Sequence, residues 1–142
     1  MDVRRSTKKI KIDKVEYTIM TLHHDLAWET WDVVAGPITK VAAALQEADN
    51  PVVLIKGLLE ALPSRDFLHL IRVFGEYISY TDTDGTERRL DSSEKIAIHF
   101  QDRYGQELGL LAHAILHNYA SFGKAKESMT GIFEALASTV KS

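Results

Sequence analysis

Apolar and polar residues alternate at the start of the chain. Ile10 and Ile12 are separated by lysines, and after Asp13-Lys14 the alternation resumes with Val15, Tyr17 and Ile19. A period of two marks a half-buried strand, so residues 8–22 predict a β-hairpin turning at Asp13-Lys14. A lone hairpin is marginal in water, so its apolar face needs helices or another sheet to rest on.

From Asp25 the period changes. Ala27, Trp31, Val34, Ile38, Val41 and Leu45 recur at spacings of three and four, which predicts an amphipathic helix. Gly36-Pro37 interrupts it. Proline removes a helical hydrogen bond, so a kink or two helices are expected, with Pro37 at the first position of the second. Asn50-Pro51 opens the helix PVVLIKGLLEAL. Pro63-Ser64 ends it and starts SRDFLHLIRVFGEYI, with Ser64 expected to cap the orphan N–H groups. Asp84-Gly85 in SYTDTDGTERRL (79–90) suits a tight turn and predicts a second small hairpin near residues 78–90. Residues 91–98 read as a turn or helical segment. After Gly123 the chain predicts a last amphipathic helix, with Met129, Ile132, Phe133, Leu136 and Val140 on one face.

The segment HFQDRYGQELGLLAHAILHNYASF (99–122) carries the longest pattern. Phe100, Tyr104, Leu108, Leu111, Ile115, Tyr119 and Phe122 follow spacings of three and four, which predicts one continuous apolar seam. Beside it runs a small-residue stripe of Gly105, Gly109, Ala112, Ala120 and Gly123. Helical glycine is about 0.5–1 kcal/mol worse than alanine, so this stripe predicts close approach of another backbone. An internal helix is the commoner explanation and a partner's helix the other.

The expected class is mainly α (α+β), a bundle of about five to six helices with a short N-terminal hairpin and the second small hairpin. Residues 1–7 read as a basic tail, 8–123 as one domain and 124–142 as a C-terminal amphipathic helix that either closes this core or lies on a partner.

Composition narrows the function. With 142 residues, 45% of them hydrophobic and 26% charged, the chain has enough apolar material for a core and reads as a folded, soluble protein. The 17 basic residues are spread among 20 acidic ones for a net charge of −3, so no basic field exists to neutralise many phosphates and nucleic acid is not expected as a partner. The basic cluster Arg4, Arg5, Lys8, Lys9 and Lys11 reads as a solvated tail. No cysteine is present, which removes disulfides and thiolate zinc sites and suits a reducing compartment. No apolar run is long enough for a membrane span or a secretory signal, so neither is expected.

Candidate chemistry is thin. His113 and His117 stand i, i+4, a spacing that can place two imidazoles on one metal. The zincin pattern needs glutamate after the first histidine, and that position is Ala114. Helical geometry puts both on a polar edge near Gln106 and Ser121, so edge histidines are the plainer reading. The pair His23-His24 sits at a strand-to-helix junction, where capping or solvent exposure is the plainer reading. Calcium binding by DTDG fails because the loop's first carboxylate position would be Tyr80. The carboxylate pair Asp82 and Asp84 is of a kind that any soluble protein offers. No glycine-rich phosphate loop or nucleophile elbow occurs. No catalytic residue, metal site or cofactor is expected.

Four segments in order, KIKIDKVEYTIMTL, VVAGPITKVAAAL, TDTDGTERRL and HFQDRYGQELGLLAHAILHNYASF, resemble the tail assembly chaperones of tailed bacteriophages, over roughly residues 8–123. That family's pattern runs from a hairpin of the KIKIDGVEYTL type through a GP break and an aspartate-glycine turn to HFxGRYGELLKLLxxALxxNFGSFF. This sequence departs from it at Lys14, where the pattern has glycine, at Asp102, where it has a small residue, and at Gly123-Lys124, where aromatic residues close it.

The resemblance implies a non-enzymatic protein of the host bacterial cytoplasm, absent from the mature virion. It would bind the tape measure protein, keep it soluble and promote assembly of tail tube subunits around it, as several copies or an oligomer on one tape measure. The implied partner-binding residues are the seam Phe100, Tyr104, Leu108, Leu111, Ile115, Tyr119 and Phe122, with Met129, Ile132, Phe133 and Leu136 of the last helix. A small structural subunit retained in a phage tail or tail-like particle is the alternative, and a histidine metalloenzyme is a distant third.

Overall fold

The computed structural model describes residues 6–44 and 50–125. Strands β1 (Thr7–Ile12) and β2 (Val15–Met20) are followed by helices α1 (His24–Ala44), α2 (Pro51–Glu60) and α3 (Ser64–Gly75). Strands β3 (Ile78–Thr81) and β4 (Glu87–Arg89) and helices α4 (Ser93–Phe100) and α5 (Tyr104–Ala125) complete the order.

Both hairpins form, and they do not stand apart. They join edge to edge in one antiparallel sheet of order β1-β2-β3-β4, closed by the pairs Tyr17↔Tyr80, Thr18↔Ser79 and Ile19↔Ile78. The molecule is therefore α+β, with five helices among the described residues packed with this sheet, and the expected last helix after Gly123 lies mostly outside those residues. The second apolar surface that the first hairpin required is thus supplied in part by the second hairpin.

The first turn places Asp13 at φ 48 and Lys14 at φ 71, the doubly positive pattern of a two-residue type I′ turn that matches strand twist. The second hairpin closes through Asp82–Thr86. Asp82 N–H donates to the Thr86 carbonyl at 2.8 Å, Gly85 sits at φ 83, and the Asp84 carboxylate accepts from Thr86 N–H at 2.9 Å.

Helix α1 runs unbroken through Gly36-Pro37, so of the expected kink or division into two helices the division does not occur. Pro37 leaves the Val33 carbonyl without the hydrogen bond that an N–H at that position would donate. Asn50 caps α2 as expected, its side chain accepting from Val52 N–H at 3.0 Å with Pro51 at the first helical position. Ser64 does not cap α3. It is already the first helical residue, and the Pro63 carbonyl accepts from the N–H groups of Asp66 and Phe67 instead.

The segment that carries the predicted continuous seam is two helices, not one. Phe100, Gln101, Asp102 and Arg103 make a reverse turn in which Gln101 has φ −54 and ψ 122, Asp102 has φ 61, and Arg103 N–H donates to the Phe100 carbonyl at 2.8 Å. That is type II geometry. Phe100 therefore ends α4 and Tyr104 begins α5, and the apolar spacing runs across a break that periodicity cannot register.

Helix α5 is the centre of the fold, packing against α2, α3 and α4 and across β1 and β2. Leu110, Leu111, Ala112, Ala114, Ile115 and Tyr119 are all buried, as are Tyr17, Ile19 and Ile78 on the facing side of the sheet. Asn118 ties this helix to the strand exit. Its side-chain oxygen accepts from Leu22 N–H at 2.7 Å while its amide donates to the Ala114 carbonyl at 2.9 Å. No helix among the described residues is long and apolar enough to cross a membrane.

Candidate functional site

The structure divides the residues of the predicted seam. Phe100, Leu111, Ile115 and Tyr119 lie in the core, none more than 4% exposed, so their apolar surface is already spent inside this chain. Tyr104 is 58% exposed and Leu108 is half-buried, and these two remain within reach of a partner. The Phe122 side chain, and Met129, Ile132, Phe133 and Leu136, lie outside the described residues.

Tyr104 and Leu108 are not isolated. With Leu59 of α2, Leu62 of the α2–α3 link, and Phe67 and Leu68 of α3, they line a groove of about 400 Å³. Leu68 is 44% exposed at its rim. Three helices thus present aliphatic and aromatic side chains to one depression, the form that accommodates an apolar helix face. A second depression of about 240 Å³ adjoins it between α3, α4 and α5, and Leu68, Tyr104 and Glu107 border both.

Glu107 lies within this apolar lining. It is only 8% exposed, and its carboxylate makes no hydrogen bond or ion pair among the described residues. Burial pushes its carboxyl above the ordinary range, with no cation to offset the effect. Periodicity did not single out Glu107, because an acidic residue in the first turn of a helix reads as a routine partner of the helix dipole. Its place between Tyr104 and Leu108 on the apolar edge was the available signal.

The histidines have separate fates. His117 Nε2 lies 3.2 Å from the Ser6 carbonyl, and His113 Nδ1 is buried without a hydrogen-bond partner. His113 borders a groove of about 540 Å³ with Lys56, Arg103, Gly105 and Gly109, and burial, helped by Lys8, pushes its pKa down. The described residues contain no group of three or more histidine, aspartate or glutamate side chains able to hold a metal.

His99 belongs to the sheet. Its Nε2 lies 2.7 Å from the buried Tyr17 hydroxyl, which also accepts from the Gln106 amide, and its ring lies 4.1 Å from that of Tyr80. Burial raises the Tyr17 pKa to about 12 and lowers that of His99, so both remain neutral and satisfy one another. Asp82 and Asp84 serve their own turn. Backbone N–H groups and Arg88 hold both carboxylates, and these contacts keep their pKa values low.

Gly105 and Gly109 mark no tight approach. A Cβ on either would meet nothing nearer than 3.8 Å, ordinary van der Waals contact. The close packing that the small-residue stripe predicted occurs instead at Gly75, where a Cβ would stand 2.6 Å from the Leu90 carbonyl oxygen.

The described residues define a mainly helical α+β fold with an apolar groove bordered by an acid that has no ion pair among them. Comparisons of the chain with models of known families, with curated proteins and with solved structures give no significant match.

Proposed function

We propose that this chain is a phage tail assembly chaperone, which holds the tape measure protein soluble in the host cytoplasm while tail tube subunits assemble around it, and leaves before the virion matures. The observation that carries this reading is where the sequence departs from that family's pattern. Lys14 stands in place of glycine and Asp102 in place of a small residue, and both have positive φ, the backbone state that glycine adopts without strain. The pattern's small residues thus suit this backbone at the two positions where this sequence lacks them. The groove between α2, α3 and α5 supplies a matching surface for an amphipathic helix.

Co-expression with the long helical protein encoded beside this chain tests the proposal. The expected result is that the long protein becomes soluble and co-purifies with this chain, which is then absent from purified particles. Failure to bind or solubilise it, with this chain found instead in mature particles, would replace the chaperone with a structural subunit.

A further inference from the structure

We infer that the groove between α2, α3 and α5 takes an amphipathic helix bearing one lysine or arginine within its apolar stripe, and that this cation pairs with the carboxylate of Glu107. The inference deepens the chaperone reading, on which the helical character of the partner rests.

Two independent observations meet at the site. The first is the lining of Leu59, Phe67, Leu68, Tyr104 and Leu108, with Leu68 and Tyr104 substantially exposed. A wholly apolar helix would satisfy that lining. The second is Glu107, 8% exposed at the junction of two cavities and without a polar partner among the described residues. The carboxylate oxygens still reach solvent through the groove, and an apolar helix laid over them would strip that water and leave the charge unpaired.

A cation delivered by the partner changes the sign of that contribution. Part of the carboxylate's desolvation has already occurred in the free protein, so the incoming charge meets an acid that has lost some of its water. The other charged residue of the groove is acidic too. Glu60 borders it, while Arg72 borders only the adjoining cavity and makes no ion pair to Glu107. An anionic or purely apolar occupant would leave this acid opposed or uncompensated.

The test uses the full chain and a labelled model helix of about 18 residues, long enough to hold helical structure, with leucines on one face and a single central lysine. A twin carries norleucine at that position. Fluorescence anisotropy is expected to give at least about tenfold tighter binding for the lysine peptide, the scale of a buried charge pair. Glu107→Gln should abolish the preference, and Leu68→Asp, at an exposed position, should weaken both peptides. Equal affinities in the wild-type chain, an unchanged preference in Glu107→Gln, or no binding of either peptide would overturn the inference. Tighter binding of a peptide spanning residues 126–142, or a dimer that Leu68→Asp dissociates, would assign the groove to this chain itself and overturn it as well. Loss of the lysine preference leaves the co-expression result untouched. Failure of co-expression with the preference intact would instead remove the tape measure and keep the groove.

Discussion

Asp102 and Lys14 hold backbone conformations that L-residues adopt at a cost. Asp102 occupies the third position of a type II turn at φ 61 and Lys14 the second central position of a type I′ turn at φ 71. Left-handed backbone costs roughly 1–2 kcal/mol for a residue with a Cβ, offset in part by glycine's larger unfolded-state entropy. Asp102→Gly and Lys14→Gly are each expected to stabilise the protein by about 0.5–1 kcal/mol, read as a higher urea midpoint at unchanged slope. Glu107 is a third residue where the native choice lowers stability. Its pKa is raised by burial, so the folded state holds its proton more tightly than the unfolded chain does. Stability from this group therefore falls as pH rises from the ordinary carboxyl value through the folded one. Glu107→Gln is expected to raise the melting temperature at pH 7 and to change it little at pH 4. A lower melting temperature at pH 7 would mean that the carboxylate has an internal partner such as Arg72.

At the scale of elements, local pattern was a good guide wherever a single segment decides its own conformation. The period of two in residues 8–20, the Asp84-Gly85 turn and the Asn50-Pro51 start all lead to the elements observed. Contacts between elements were harder to foresee. Nothing in either hairpin announces that Ile19 pairs with Ile78, because three helices separate them in sequence. The seam from Phe100 to Tyr119 kept its spacing through a reverse turn, since residue spacing carries no record of φ. Gly75 shows the same limit. It ends α3 and reads as an ordinary helix-terminal glycine, yet the Leu90 carbonyl and the Ile96 side chain close over it. Gly75→Ala should force that carbonyl away and destabilise the fold by about 1–3 kcal/mol in chemical denaturation. Gly109→Ala, in open van der Waals contact, should be neutral or stabilising by up to about 1 kcal/mol.

For the whole molecule, the candidate site was legible only in outline. Tyr104 and Leu108 were among the residues read from the sequence, whereas Leu59, Leu62, Phe67, Leu68 and Glu107 join them only because α2 and α3 fold against the start of α5. Acid sensitivity is likewise a property of the assembled fold. His99 faces Tyr17, Tyr80 and Phe100, with Arg103 and Asp82 as its neighbouring charges, and burial lowers its pKa, as it lowers that of His113 near Lys8. Both groups bind protons more weakly folded than unfolded. Their stability is complete above the ordinary value of 6.5 and is lost as pH falls from there through the folded values. The melting temperature is expected to drop as pH falls below about 6.5, and His99→Gln should flatten that decline.

The joint between β2 and β3 also orders events in time. Each hairpin closes through neighbouring residues and forms early, but the pairs Tyr17↔Tyr80 and Ile19↔Ile78 wait until all of α1, α2 and α3 lie between them. During synthesis the inner edge of β2 is therefore open to any passing strand until residue 81 has emerged. The outer strand beside it carries Lys8, Lys9 and Lys11, charges that discourage such pairing on the other edge and leave this one to close last.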